Sequence, residues 1–486
     1  MLRKLLKHGL LFLLYGSVCS AAMALYLFID HLQNRPDLQP WHLAALDGDY
    51  NAAKNEKITS IADYLELEDK LFGQLQNQVY NQTEPEHRRM LNRYSRDSLA
   101  DPGKFDRNWN RTFELEVTNP RGGVLLIHGL SDSPYSMRGM GEIFHAMGFW
   151  VVGIRLPGHG TAPSGLLNVT WQDFAAATDF AANHVKQQIG EKKPFYIAGY
   201  STGAALAVEY SLRILAGSDD PMPDGLVLLA PAIGVSPIAA LAVWQERLSA
   251  IPGLKKTAWE SIQPEYDPFR YRSFAVNAGN QIHKLTTEIN RLVSKLDQGQ
   301  GIKGFPKVLA FQSIVDATIS TPALISGLFD HLANEGHELI LFDINRNTEA
   351  EPLLVSSPEA TTKALLKNRF LPFRLTLISN ASKKSNKVSE YQKQANSDLV
   401  TKKPLALSWP KSILSLSHVA LPFPPNDVLY GVQRNPKHAG IYLGRINIMG
   451  ERGLLLISAD EVIRLRYNPF FPYLKHRVET FVTNNN

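Results

Sequence analysis

Ser201 has the sequence surroundings of a nucleophile for acyl transfer. It is the central residue of Gly199–Gly203 (GYSTG), which follows the apolar run Phe195–Ala198 and precedes the helix-favouring stretch Ala204–Val208. A buried strand that turns sharply into a helix exposes the hydroxyl at its apex, and glycines relieve the crowding at such a turn. The first amide groups of the helix favour developing negative charge. We therefore predict Ser201 as a catalytic nucleophile.

A serine nucleophile needs a general base, and the base needs a carboxylate that orients it. In this strand–turn–helix setting the chain order is serine, acid, histidine. Asp316, just after the apolar run Val308–Phe311, is the predicted carboxylate, and Asp343 is the alternative. His418 is the predicted base, and His438 is the alternative. The competing interpretations are a turn-forming Asp316 and a structural His418.

The negative charge that forms during acyl transfer needs two N–H donors. One is predicted to be the amide of Thr202, directly after the serine. The other is the amide of Leu130, in the loop after the apolar run Val124–Ile127. We expect His128 and His159 to shape the neighbouring loops rather than to transfer protons.

Apolar runs alternate with helical patterns through much of the chain. Uninterrupted apolar strands indicate a sheet that is covered on both faces, and the alternation predicts a doubly wound, mostly parallel α/β sheet. Binding sites in such folds lie at the carboxyl ends of the strands. The predicted strands are Thr112–Val117, Val124–Ile127, Phe149–Ile154, Phe195–Ala198, Leu226–Leu229, Val308–Phe311 and Glu338–Phe342.

Two insertions interrupt the predicted α/β domain, which spans residues 111–486. The first, residues 231–304, leaves the sheet beside the site and is predicted to form a helical lid. The second, residues 345–404, contains the polar tract Ser382–Lys403, which is rich in Lys, Ser, Asn and Gln. Such composition is typical of a mobile surface loop.

The N-terminus carries a candidate membrane anchor. Gly9–Ile29 has no charged residue and follows a short basic segment, and about 20 apolar residues suffice for a transmembrane helix. The basic flank favours a cytoplasmic N-terminus. We predict a single-pass anchor over residues 1–29, with the rest of the chain facing the periplasm of a bacterial inner membrane; a cleaved signal peptide is the alternative. Residues 30–110 are predicted as a tether and a helical extension.

The chain resembles the α/β-hydrolase family. The matching positions are His128–Leu130 (HGL), Arg155–Gly160 (RLPGHG) and Gly199–Gly203, followed by Asp316 and His418 in the expected order. The resemblance is greatest to the branch of carboxylesterases, monoacylglycerol lipases and serine-aminopeptidase-like proteins. It implies a Ser-His-Asp triad, no metal ion, no organic cofactor, and action on esters or related acyl compounds. An apolar lid next to a bilayer favours a small-molecule or lipid ester as the substrate.

The resulting hypothesis is a membrane-anchored serine hydrolase that cleaves carboxylic esters through an acyl-enzyme. A peptidase, thioesterase or acyltransferase would use the same triad, and a non-catalytic binding protein on a hydrolase fold is a further alternative. The formal net charge is +5, but part of it lies at the N-terminus and the remainder of the chain is nearly neutral. This charge distribution argues against a nucleic-acid partner. Cys19, the single cysteine, excludes intrachain disulfides.

Overall fold

The computed structural model describes residues 2–55, 58–84, 91–234, 254–348, 353–354, 357–444, 460 and 463–485. The helices of these residues are α1 (Leu2–Gln33), α2 (Pro40–Leu43), α3 (Ile61–Gln78), α4 (Arg138–Ala146), α5 (Trp171–Ile189), α6 (Thr202–Leu215), α7 (Val276–Leu296), α8 (Thr321–Gly327), α9 (Glu359–Lys367) and α10 (Phe471–Asn485). The strands are β1 (Phe113–Leu115), β2 (Gly122–Ile127), β3 (Phe149–Ile154), β4 (Phe195–Tyr200), β5 (Gly225–Leu229), β6 (Trp259–Ser261), β7 (Phe274–Ala275), β8 (Lys307–Ser313), β9 (Glu338–Phe342), β10 (Arg374–Ser382), β11 (Ser385–Lys393) and β12 (Val400–Ser408).

A ten-stranded sheet forms the centre of this part of the chain, in the order β1-β3-β2-β4-β5-β8-β9-β10-β11-β12. The strands from β3 through β10 in that order run parallel, whereas β1, β11 and β12 join antiparallel. Strands β2, β4, β5 and β9 are buried along their whole length, as their uninterrupted apolar sequences predict. The predicted doubly wound, mostly parallel α/β sheet is confirmed.

Helices cover both faces of the sheet. Residues of α5 and α6, such as Ala177 and Leu206, belong to the core on one face, whereas Phe144 of α4 and Val478 of α10 belong to the core on the other. Because the central strands are parallel, the segments that follow β2, β4 and β8 emerge at the same edge of the sheet. This edge carries the loop after Ile127, the turn at Ser201 and the loop that contains Asp316.

The prediction of a mobile loop over Ser382–Lys403 is wrong. These residues include all of β11 and the first part of β12, and the two strands extend the sheet beyond β10 with pairs such as Leu375 opposite Lys393. Val388 is buried in the core, whereas β12 is exposed or partly exposed over most of its length. Exposed edge strands often carry lysines, which discourage pairing with other chains. This polar composition resembles that of a loop, and the sequence pattern therefore did not indicate strands.

Part of residues 30–110, which are predicted as a tether and a helical extension, is bound to the α/β domain. Arg155, which is 1% exposed at the end of β3, donates from Nη2 to Asp49 Oδ1 (3.0 Å) and from Nε to Glu68 Oε2 (2.9 Å). Trp41 of α2 is buried as well. A buried guanidinium requires such partners because desolvation of an unpaired charge is costly. The segment from α2 to α3 is therefore a wall of the domain rather than a free linker.

The predicted lid, residues 231–304, is described only in part, because residues 235–253 lie outside the described residues. In the described part, β6 pairs with β7, and α7 packs against α6. Tyr271 lies between β6 and β7 in the sequence, and its amide donates to the Ser131 carbonyl at 2.7 Å. This contact joins the insertion to the loop that follows β2.

The transmembrane helix predicted at Gly9–Ile29 is not supported. These residues lie in α1, but among the described residues no helix combines the length and apolarity that a bilayer span requires.

Candidate active site

Ser201 lies at the turn between β4 and α6 in a strained backbone conformation. Its φ of 53° is in the left-handed region, which costs a non-glycine residue about 1–3 kcal/mol and persists only where neighbouring contacts enforce it. The Ser201 amide donates to the Leu229 carbonyl (2.8 Å), and the Ser201 carbonyl accepts from the Ala232 amide (3.0 Å). The turn is therefore fixed by the end of β5 and the residues that follow it.

The two glycines of the motif are required by close backbone contacts. A Cβ atom on Gly203 would lie 2.1 Å from the carbonyl oxygen of Ile127, and one on Gly199 would lie 2.4 Å from the carbonyl oxygen of Gly203. Both distances are far below van der Waals contact. The glycines thus allow α6 to approach β2 and the loop that follows it.

Replacement of Gly203 by alanine is expected to lower the free energy of unfolding by about 3 kcal/mol or more, because the new methyl group overlaps the backbone of Ile127. Gly73→Ala is a matched control, since this glycine is exposed in α3 and a Cβ there meets no atom within 4 Å. The control should be neutral or stabilising. Urea denaturation of both variants measures the difference, and equal stabilities would contradict the packing argument.

The structure brings Ser201, His418 and Asp316 together in one hydrogen-bonded chain. Nε2 of His418 lies 3.1 Å from Oγ of Ser201, and Nδ1 lies 2.7 Å from Oδ2 of Asp316. A carboxylate only accepts hydrogen bonds, so Nδ1 carries the proton and Nε2 is left to accept from the serine hydroxyl. The side chains of Asp316 and His418 are 0% and 6% exposed. The arrangement can therefore move the hydroxyl proton to the imidazole.

Backbone amides hold the Asp316 carboxylate in place. Oδ1 accepts from the amides of Thr318 (2.8 Å) and Ile319 (3.0 Å), and Oδ2 also accepts from Nε2 of Gln312 (3.2 Å). These donors fix the orientation of the carboxylate toward His418. Asp316 also has the turn-forming role considered above, because its carboxylate accepts from the amides of the turn as well as from His418.

His418 reaches the site from a loop that returns after β12. It opens a short 3-10 helix, His418–Ala420, in which all residues are buried. The Tyr200 ring centroid lies 5.4 Å from that of His418, and the Tyr200 hydroxyl donates to the His418 carbonyl at 3.4 Å. The residue before the serine thus helps to position the histidine.

The two alternative residues lie in other surroundings. The His438 ring packs against Phe105 with centroids 4.4 Å apart. The Asp343 carboxylate accepts from Arg346 Nε (2.8 Å) and from the Ser379 hydroxyl (2.6 Å). Neither side chain hydrogen-bonds to Ser201 or to the other members of the chain described above.

The loop after β2 is shaped by His128, as the sequence predicts. Its Nδ1 lies 2.8 Å from the Gly129 carbonyl, and its Nε2 accepts from the Leu156 amide at 3.0 Å. Burial lowers the pKa of the His128 ring well below its ordinary value, so the ring is neutral and joins the loops after β2 and β3. His159 has a similar local role, since burial lowers its pKa to about 4 and its Nδ1 faces the Pro157 carbonyl.

The Leu130 and Thr202 amides both lie beside the serine. Gly129, directly before Leu130, is so close to the turn that a Cβ atom there would lie 3.3 Å from Cβ of Ser201. Thr202 is the first residue of α6, whose leading amides have no acceptor within the helix. Among the described residues, neither amide donates a hydrogen bond. Both remain available to an oxyanion.

Sequence reasoning missed Asp132, which is buried in the loop that also contains Leu130. Burial raises its pKa to about 7, while the Arg270 guanidinium and the Ser133 amide favour its ionised form and Asp267 opposes it. No local signal could identify this residue, because Arg270 lies far away in the sequence.

In the described part of the chain, no group of three His, Cys, Asp or Glu side chains is arranged to bind a metal ion.

Asp132→Asn is expected to stabilise the protein at pH 8 more than at pH 5. The folded-state pKa of about 7 lies above the ordinary value for an aspartate, so the folded protein binds the proton more tightly and wild-type stability falls as the pH rises through 7. Asparagine removes that dependence. Melting temperatures at both pH values measure it, and an equal difference at pH 5 and pH 8 would contradict the shift.

Comparisons with known proteins show which proteins this chain is similar to. The family model described as "Serine aminopeptidase, S33" matches residues 118–343. A thermostable monoacylglycerol lipase of Bacillus sp. (strain H-257) is 30% identical over 118 residues, which are 24% of this chain and 44% of that protein. The chain thus spans less than half of the length of this curated relative.

Solved structures match over about half of the chain. One, reported with the metagenome-derived lipolytic enzymes LipS and LipT, is 21% identical, with a TM-score of 0.38 over 54% of this chain and 98% of that one. Another, the monoacylglycerol lipase of Paleococcus ferrophilus, is 19% identical, with a TM-score of 0.35 over 48% of this chain and 89% of that one.

Proposed function

We propose that this chain is a serine hydrolase of the α/β-hydrolase family that cleaves carboxylic esters. The observation that carries the proposal is the position of His418, whose ring contacts Ser201 Oγ through one nitrogen and Asp316 through the other. In a merely structural site, nothing would require an imidazole to bridge a carboxylate and the hydroxyl of a strained turn.

The proposed reaction forms and then hydrolyses an acyl-enzyme. Ser201 Oγ attacks the ester carbonyl while His418 Nε2 takes the hydroxyl proton, and Asp316 stabilises the imidazolium. The Leu130 and Thr202 amides bind the oxyanion of the tetrahedral intermediate. The intermediate collapses as His418 returns the proton to the departing alcohol. A water molecule then gives a proton to His418 and attacks the acyl carbonyl. The second tetrahedral intermediate collapses as His418 returns the proton to Ser201 Oγ, which releases the acid and restores the serine hydroxyl.

Monoacylglycerols are the substrate class that we infer within this chemistry. The support is the named activity of the relative that is 30% identical over 118 residues. An amide would pass through the same steps, and the matching family model is described as a serine aminopeptidase. Peptide cleavage is therefore the second candidate.

Labelling with a fluorophosphonate probe tests the serine hydrolase proposal. Wild-type protein should form a covalent adduct on Ser201, whereas Ser201→Ala should remain unlabelled although it is folded. Ser211→Ala is a matched control, since this buried serine lies in α6, the helix that begins directly after Ser201, and its hydroxyl donates to the Ala207 carbonyl. This variant should label like the wild type. A folded wild-type protein that takes no label would overturn the proposal.

The substrate class is tested by rates on p-nitrophenyl esters of graded chain length, on a monoacylglycerol, and on aminoacyl p-nitroanilides. We expect hydrolysis of the monoacylglycerol and of the esters, with little cleavage of the anilides. Preferential cleavage of the anilides would instead support the peptidase.

A further inference from the structure

A cavity lined by arginines lies away from the candidate active site, between α3 and the segment of residues 91–111. Its volume is about 250 Å3, and its polar lining includes Arg93, Arg96, Arg111, Gln76, Tyr80 and Asn110. Its lining contains no carboxylate and shares no residue with the Ser201–His418–Asp316 chain. We call it the arginine cavity. Three cations and no anion on one wall suit a negatively charged occupant.

Arg93 carries the strongest evidence, because its guanidinium is buried without enough acceptors. The residue is 1% exposed, and Nη2 donates to Asn110 Oδ1 at 2.9 Å. Nε and Nη1 are buried, and no described residue accepts a hydrogen bond from either. Leaving donors of a charged group unsatisfied in this way is costly. Arg93 also lines the cavity, so an anion bound there would lie beside a buried charge that is only partly compensated.

Aromatic rings hold the three guanidinium groups in place. That of Arg96 lies 4.1 Å from the ring centroid of Tyr80, and that of Arg111 lies 3.9 Å from that of Phe72. Arg93 lies 5.4 Å from the ring of Tyr271. Stacking uses the faces of the guanidinium planes and leaves their edges for hydrogen bonds, and Nη2 of Arg96 already donates to Gln76 Oε1 at 2.7 Å. The donors are therefore organised before any ligand binds.

The carboxylates near the cavity neutralise its charge only in part. Asp101 lies 3.4 Å from Arg96. Two carboxylates lie near Arg111: that of Asp69 at 2.5 Å, which is largely exposed, and that of buried Glu68 at 4.0 Å, which also accepts from Arg155. Glu265 also interacts with Arg93, but its oxygens accept from the amides of residues 272 and 273. Among the described residues, Arg93 has no ion-pair partner within contact distance.

We propose that the arginine cavity binds the phosphate group of a small ligand, either inorganic phosphate or a phosphomonoester. A planar carboxylate satisfies one guanidinium edge, whereas the three outer oxygens of a phosphate accept from several donors in different directions. Arg93, Arg96 and Arg111 supply such donors, and Asn110 adds a neutral amide to the wall. This binding site is independent of the proposed hydrolysis.

Isothermal titration of the full chain with inorganic phosphate and with glycerol 3-phosphate tests the proposal. Saturable binding is expected, and Arg96→Gln and Arg111→Gln should each weaken it by about tenfold or more, as loss of a charge-assisted hydrogen bond implies. These two arginines are partly exposed, so their variants should fold. Arg107→Gln is the matched control, since this exposed arginine lies in the same segment outside the cavity.

The two ligands distinguish the sources of the phosphate. Similar affinities indicate free phosphate, and much tighter binding of glycerol 3-phosphate indicates a phosphomonoester; either result supports the site. Three results would overturn it: no saturable heat with either ligand, equal weakening by Arg96→Gln and Arg107→Gln, or tighter binding of the dicarboxylate malonate than of phosphate.

Discussion

His418→Ala should lower kcat for ester hydrolysis by roughly 10^5- to 10^6-fold, the scale on which loss of the histidine from such a triad acts. The imidazole is the only group in the described structure within hydrogen-bond distance of the Ser201 hydroxyl that can accept its proton. Without it, the hydroxyl cannot be deprotonated as it attacks. KM should change little, because His418 contributes to the chemical step rather than to substrate binding.

His438→Ala is the control that separates this role from a general effect of losing a histidine. Its ring packs on Phe105 and has no contact with Ser201, so kcat should stay close to that of the wild type. Steady-state rates on a p-nitrophenyl ester, with circular dichroism to verify folding, give the comparison. If the His438 variant lost as much activity as the His418 variant, the assignment of the base would be wrong.

The residues of the candidate site could be predicted because their signals are local in the sequence. The GYSTG motif places Ser201 between an apolar strand and a helix, and the structure has both elements with the serine at the junction. Asp316 could be selected because it follows an apolar strand whose carboxyl end lies at the same edge of the sheet. His418 required the chain order of the motif, since an intervening segment separates it from the last parallel strands.

Contacts between distant segments could not be predicted. Arg155 binds Glu68 and Asp49, which precede it by 87 and 106 residues, and nothing near any of the three residues specifies the pairing. These contacts are the reason that the predicted tether is a wall of the domain. The unsatisfied N–H donors of Arg93 could not be predicted either, because burial of a guanidinium depends on tertiary packing.

Strands β11 and β12 show a different limit of sequence reasoning. Their charged and amide side chains matched the composition of a disordered segment, yet each pairs with its neighbour along most of its length. In an antiparallel extension only one face of a strand must be apolar, so buried residues such as Val388 are few. A pattern based on average hydrophobicity therefore misses such strands.

Asp316→Asn should lower kcat by roughly 10^4-fold, because it changes the tautomer of His418 rather than removing a contact. The carboxylate keeps the imidazole proton on Nδ1 at a distance of 2.7 Å. An asparagine can donate its amide N–H to Nδ1, which moves the ring proton to Nε2. That nitrogen then cannot accept the proton of Ser201. The fold should persist, since the amides of Thr318 and Ile319 can still bond to the side-chain oxygen.

Asp343→Asn is the matched control, because it removes the same charge from the alternative carboxylate. This variant loses part of the ion pair with Arg346 and should therefore be less stable, while kcat remains close to that of the wild type. Rates on a p-nitrophenyl ester and melting temperatures of both variants separate the two effects. A large loss of kcat in Asp343→Asn, with near-normal rates in Asp316→Asn, would transfer the role of the orienting carboxylate to Asp343. The observed geometry argues for Asp316, because its carboxylate contacts the imidazole whereas that of Asp343 is occupied by Arg346 and Ser379.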